Sequence, residues 1–111
     1  MGQATYEDFL KVDVRVGRVV RVEGFPKAKV PAYRLWIDFG PLGVKKSSAR
    51  ITRLYRRDEL VDRLVLSVVN FAPKQVADFQ SEVLVLGVVQ EDDRVVLIGP
   101  DRDVPLGLRV L

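Results

Sequence analysis

Apolar and polar residues alternate along most of this chain with a period of two, the mark of strands that bury one face. Val12, Val14, Val16, Val20 and Val22 share one parity, and Asp13, Arg15, Arg21 and Glu23 take the other. This predicts one long strand with its valines inward. Gly17 interrupts the series and Arg18 breaks it, so a bulge or sharp coil is expected at Gly17. Tyr33, Leu35, Ile37 and Phe39 alternate against Arg34, Trp36 and Asp38 in a second strand. Val44 to Thr52 reads as a third strand and Leu64 to Asn70 as a fourth. Glu82 to Gln90 and Arg94 to Ile98 read as a hairpin around Asp92-Asp93, and Leu108 to Leu111 as a last short strand.

Helical signals are few. Thr5 caps a short helix over Tyr6 to Leu10, with acids in its first turn and Phe9 and Leu10 as its apolar grip. A second helical turn covers Asp58 to Asp62. Five or so strands with a helical insert between the third and fourth predict an all-β, OB-type five-stranded barrel. The curved face and loops of that fold take oligonucleotides and other extended ligands. A chain of 111 residues supports one domain with one core, so residues 1–111 are read as a single unit.

The connection from Val69 to Gly87 holds more chemistry than a turn requires. Two residues suffice to reverse antiparallel strands. This connection carries an amide (Asn70), two phenyl rings (Phe71, Phe79), a cation (Lys74), a hydroxyl (Ser81) and a carboxylate (Glu82). Asn70 either presents its amide to a ligand or makes local turn bonds. Phe71 and Phe79 either grip a ligand or close the barrel end. Lys74 either meets an anion or carbonyl, or is merely solvated. Glu82 either accepts from peptide N–H groups or orders the loop. On the third strand, Lys46, Ser48 and Arg50 share a face by the period of two. Trp36 sits on the polar side of its strand among Arg34 and Asp38, which suggests a contact surface or coverage by a loop.

Composition narrows the chemistry. The chain has no Cys and no His. That removes disulfides, thiolate nucleophiles, thiolate or imidazole metal ligands and the usual general base at neutral pH. The dense acid groups, Asp92-Asp93 and Asp101 with Asp103, fall in expected turns, where Asp serves local hydrogen bonds. A binding protein without catalysis, metal or cofactor is the expectation. Net charge is +3, but residues 1–57 carry 13 Lys/Arg against 5 Asp/Glu, and residues 58–111 carry 5 against 10. The basic half suits a polyanion if the fold gathers it on one face. The N-terminus lacks a signal-peptide core and no stretch approaches a membrane span, so a cytoplasmic protein without membrane insertion is expected.

Three stretches, in order, carry a family resemblance. They are Phe9-Leu10-Lys11-Val12-Asp13-Val14-Arg15-Val16-Gly17, Gly43-Val44-Lys45-Lys46-Ser47-Ser48-Ala49-Arg50-Ile51-Thr52, and Val69-Asn70-Phe71-Ala72-Pro73 with the later Ser81-Glu82-Val83-Leu84-Val85-Leu86-Gly87. Together they resemble the tRNA-binding OB domains found beside aminoacyl-tRNA synthetases, and within them the CsaA branch of export-related chaperones. The resemblance spans residues 6–111. It implies an OB barrel whose extensions, residues 1–11 and 99–111, pair two subunits into a homodimer. Leu106, Leu108, Val110 and Leu111 are the expected interface residues. It also implies binding of unfolded or pre-secretory polypeptide for Sec-dependent export, contact with the motor SecA, and no catalysis. The alternative is structure-specific tRNA binding on the same surface. Asn70, Phe71, Lys74, Ser81, Glu82, Trp36, Lys46, Ser48 and Arg50 are the candidate ligand residues for either. Val83-Leu84 stands where tRNA-binding relatives often read Gly-Met, and Phe71 stands where Leu is common.

Overall fold

A computed structural model describes residues 2–111. A five-stranded antiparallel sheet curls into a nearly closed barrel, with two short helices. In chain order the elements are α1 (Tyr6–Leu10), β1 (Val14–Gly24), β2 (Tyr33–Asp38), β3 (Val44–Ala49), α2 (Arg57–Leu60), β4 (Leu64–Val68), β5 (Lys74–Val76), β6 (Phe79–Ser81), β7 (Leu84–Val85), β8 (Gly87–Val89) and β9 (Val95–Leu97). The barrel order is β3-β2-β1-β4-β7, and β5-β6 and β8-β9 are separate hairpins. This is the OB-type all-β architecture that the strand pattern predicts.

The barrel interior is filled by Val19, Leu35, Ile37, Phe39, Ala49, Ile51, Leu60, Val65 and Val83. The β2 alternation holds: Leu35 and Ile37 are buried, and Arg34 and Trp36 point outward. The expected β1 alternation does not. Val19 is fully buried while Val20 is 43% exposed. The register shift falls between Val19 and Arg21, after the expected site, and Val22 then packs on the core. Val14 and Val16 are buried outside the barrel cluster, with Val14 opposite Val68. Both faces of the first half of β1 are covered, so alternation there does not report the inside. Gly17 is a close-approach position. A Cβ at Gly17 would lie 2.5 Å from Ile37 Cγ2 and 2.7 Å from Phe39 Cε1.

Two other expectations need correction. The α1 cap forms as read: Thr5 Oγ1 accepts from the Asp8 amide at 3.1 Å, and the Asp8 carboxylate accepts from the Thr5 amide at 3.0 Å. Phe9 and Leu10, however, are left exposed, at 41% and 36%, and no residue of α1 is buried. Polar bonds hold the helix instead. Asn70 donates to the Lys11 carbonyl at 2.8 Å, and Arg109 donates to the Leu10 carbonyl at 2.7 Å. The expected long strand from Glu82 to Gln90 is broken. β7 joins the barrel, and β8 leaves it to pair with β9. The break falls at Leu86, and β8 opens on Gly87, where a Cβ would lie 2.4 Å from Val95 Cγ1.

The C-terminal segment lies along the first half of β1. Gly107 and Val110 amides donate to the Val16 and Val14 carbonyls at 2.8 Å each, and the Val16 amide donates to Leu108 at 3.0 Å. Leu106 and Val110 are half-buried, whereas Leu108 and Leu111 are exposed.

Candidate functional site

The connection from β4 to β7 contains a hairpin of its own. β5 and β6 pair through Lys74↔Ser81, Gln75↔Gln80 and Val76↔Phe79. Ala77, at φ 51°, makes the tight reversal between them. The hairpin is pinned to the body by Phe79, which is buried and therefore a packing residue. Its ring sits edge-on to Phe25 at 5.6 Å and to Trp36 at 5.8 Å, and the Lys46 ammonium lies 5.1 Å from its centroid. Ala32, Ala28 and Val76 complete this second cluster. A 2.8 Å bridge from Lys27 to Asp78 ties the hairpin tip to the β1–β2 loop. That hydrogen bond, reinforced by the Lys27 charge, holds the Asp78 carboxyl below its ordinary value.

Immediately after the hairpin, the chain seals one half of the barrel seam. The Glu82 and Val83 amides donate to the Lys46 carbonyl at 2.8 and 3.3 Å. The Lys46 amide donates to Glu82 Oε1 at 2.8 Å, and the Ser48 amide to Ser81 Oγ at 2.9 Å. Ser47 Oγ donates to the Val83 carbonyl at 2.8 Å. Two side-chain oxygens thus stand where a neighbouring strand would present carbonyls to β3. Asn70 is also engaged within the chain. Besides its bond to Lys11, its Oδ1 accepts from the Asp13 amide at 2.8 Å.

Beyond this latch the seam opens. Among the described residues, no backbone bond joins β3 to β7 past Val83. The gap is a groove of about 850 Å³. Ala49 and Ile51, from the end of β3 and the segment after it, and Val83 and Val85, from the residue before β7 and the end of β7, form its floor, with Val30, Phe71, Val89 and Val95 around them. The strand edges bordering it are unpaired. The Leu86 amide bonds to Leu66, so by ladder alternation the Val85 amide and carbonyl turn away from β4 towards β3. The same alternation turns the Ser48 carbonyl away from β2.

Six of the candidate residues line the groove: Phe71, Lys74, Ser81, Glu82, Ser48 and Arg50. Phe71 is 50% exposed and available to a ligand. Asn70, Trp36 and Lys46 lie outside it. Trp36 is half-buried in a cross-strand row, Arg21↔Trp36↔Lys46, on the outer face of β1–β3. The Arg21 guanidinium covers its ring at 4.6 Å. The apolar floor does not stand out in the sequence, because each of its residues reads as ordinary core. Val89, 72% exposed in a run of valines, lies at its border.

An open-seamed β-barrel of OB type with an extended groove defines a class of polymer-binding domains. The family model for the tRNA binding domain matches residues 14–109. The chain is 50% identical to the solved chaperone CsaA from Bacillus anthracis, with a TM-score of 0.95 over 99% of this chain and all of that one. The solved CsaA chaperone of Picrophilus torridus is 48% identical, with a TM-score of 0.91 over 98% of this chain and all of that one. The methionine–tRNA ligase of Thermococcus onnurineus is 33% identical over 105 residues, which is 95% of this chain and 14% of the ligase. This chain therefore spans about one seventh of the length of the ligases it matches. The chain belongs to the tRNA-binding domain family and to its CsaA branch.

Proposed function

We propose that this protein is a chaperone that holds unfolded polypeptide, without catalysis, in the open half of the barrel seam. One observation carries the reading: an apolar floor lies directly beside unpaired strand edges. An extended peptide can hydrogen-bond to such edges through its backbone and place alternate side chains on the floor. Backbone bonding ignores sequence, which suits a ligand that is any unfolded chain. The likeness to solved CsaA chaperones over the whole chain supports this reading. In its finer form the ligand is a pre-secretory chain, held in the cytoplasm for the export motor SecA.

The test is anisotropy of a labelled, unstructured, valine-rich peptide titrated with the protein. Phe71→Ala is expected to weaken binding about tenfold, and N-methylation of alternate peptide amides is expected to weaken it at least as much. Tight binding that survives N-methylation would rule out strand addition.

The Arg21–Trp36–Lys46 row favours a second reading, structure-specific tRNA binding, because cations beside an aromatic face suit phosphates and unstacked bases. In that case tRNA binds steeply less well as salt rises, and peptide does not displace it.

The working unit proposed is a homodimer. Tyr6, Phe9 and Leu10 of α1 and Leu108 and Leu111 of the tail are exposed on segments tied together by Arg109, and a second copy would cover them. Leu108→Asp with Leu111→Asp is expected to give a monomer by light scattering. An unchanged dimer would remove the tail from the interface.

A further inference from the structure

The charge around the groove is one-sided. Four cations line it, Lys27, Lys29, Arg50 and Lys74, against a single acid, Glu82. Lys27 is paired with Asp78. Glu82 is occupied by the Lys46 amide. Lys29, Arg50 and Lys74 are exposed and, among the described residues, have no carboxylate partner. The acidic turn Glu91–Asp93 follows Val89 but does not line the groove. An apolar floor is therefore ringed by three uncommitted positive charges supplied by three separate segments, the β1–β2 loop, the end of β3 and β5.

We infer that the groove selects apolar segments flanked by Asp, Glu or a free C-terminal carboxylate, and rejects apolar segments flanked by Lys or Arg. This rests on the groove being the polypeptide site. The apolar centre occupies the floor, and the flanking carboxylates reach Lys29, Arg50 and Lys74. Basic flanks meet like charge, with Glu82, already bonded to the Lys46 amide, as the one carboxylate of the lining. Each exposed charge contact changes binding by a factor of about two to three, so two or three together separate acidic from basic flanks by about tenfold or more. Being exposed, the contacts fade at high ionic strength. Selection of this kind leaves apolar segments with basic flanks free for another receptor while acid-flanked segments are held.

The experiment uses three labelled peptides with one shared apolar core and acidic, neutral or basic flanks, at low and high salt. The partners are the intact protein and a Lys29→Glu, Arg50→Glu, Lys74→Glu variant, whose changes fall on exposed side chains. The expected order is acidic, then neutral, then basic, compressed at high salt and inverted in the variant. Equal affinity for all three peptides, or an order unchanged by charge reversal, would overturn the inference while leaving the groove as the peptide site. Failure of all three to bind would overturn the groove reading and this inference with it. The same result follows if only an oligonucleotide binds, and binds through these cations, because the rim would then serve phosphate.

Discussion

The two halves of the barrel seam are built from the same two stretches of chain and end in opposite conditions. At Lys46–Ser48 the free edge of β3 is capped by Glu82, Ser81 and the Val83 backbone. Immediately beyond, at Ala49–Ile51, no backbone bond among the described residues reaches β7 and apolar residues of the interior line an open groove. An unpaired edge beside apolar side chains invites another chain to pair with it. The latched half removes that invitation with side-chain oxygens, whereas the open half keeps it. The contrast separates residues that hold the barrel from residues free to meet a ligand, although both kinds sit in one connection.

The largest expected effect comes from breaking the latch. Glu82→Ala leaves the half-buried Lys46 amide without an acceptor, which costs about 1–3 kcal/mol. Glu82→Gln keeps an oxygen at the same place and should recover most of that loss. Urea denaturation of both variants tests the pair, and equal loss in the two would mean that the carboxylate's charge, not its acceptor oxygen, holds the seam. Peptide affinity is expected to change less than stability, since the carboxylate is already engaged.

Ser81→Ala sharpens the comparison on a smaller scale. The Ser48 amide loses a neutral acceptor at 2.9 Å, with an expected cost of about 1 kcal/mol. Because Glu82 and Ser81 cap adjacent amides of one strand edge, their losses should not add. The double variant is expected to lose less than the sum, as coupled neighbours do. Strict additivity in denaturation midpoints would show that the two oxygens act on independent pieces of the seam.

How far the sequence reveals this division depends on where each residue's partner lies. β2 is legible because one face meets solvent, so Arg34 and Trp36 contrast openly with Leu35 and Ile37. The first half of β1 is misleading because Val14 and Val16 are buried on one side while Gly17 and Val19 face Ile37 and Phe39 on the other. Phe71 can be picked out as an exposed ring in a polar turn. The roles of Ser81 and Glu82 cannot, because they depend on a strand edge some 33 to 36 residues earlier. Nothing local announces that β3 lacks a neighbour there. The groove floor is hidden for a related reason: Ile51 is buried and Val85 packs on the same core, and only the fold sets them together at the base of the open seam.

The smallest effect concerns the hairpin that borders the open half. Phe79 anchors it by burial, and the solvent-exposed Lys27–Asp78 bridge fastens its tip. Asp78 titrates below its ordinary value, first because of the hydrogen bond from Lys27. A carboxyl whose folded value is depressed contributes stability that is present above its unfolded value and is lost as pH falls through the folded one. The tip should therefore loosen only at acid pH, below the normal carboxylate range, while the Phe79 anchor persists. Amide exchange at Ala77 and Asp78, followed from neutral to acid pH, reads this directly. Asp78→Asn should show the loosened tip already at neutral pH and lose that part of the pH response. If acid loosens the tip equally in Asp78→Asn, the bridge is not what fastens it, and the wall of the open half is held by aromatic packing alone.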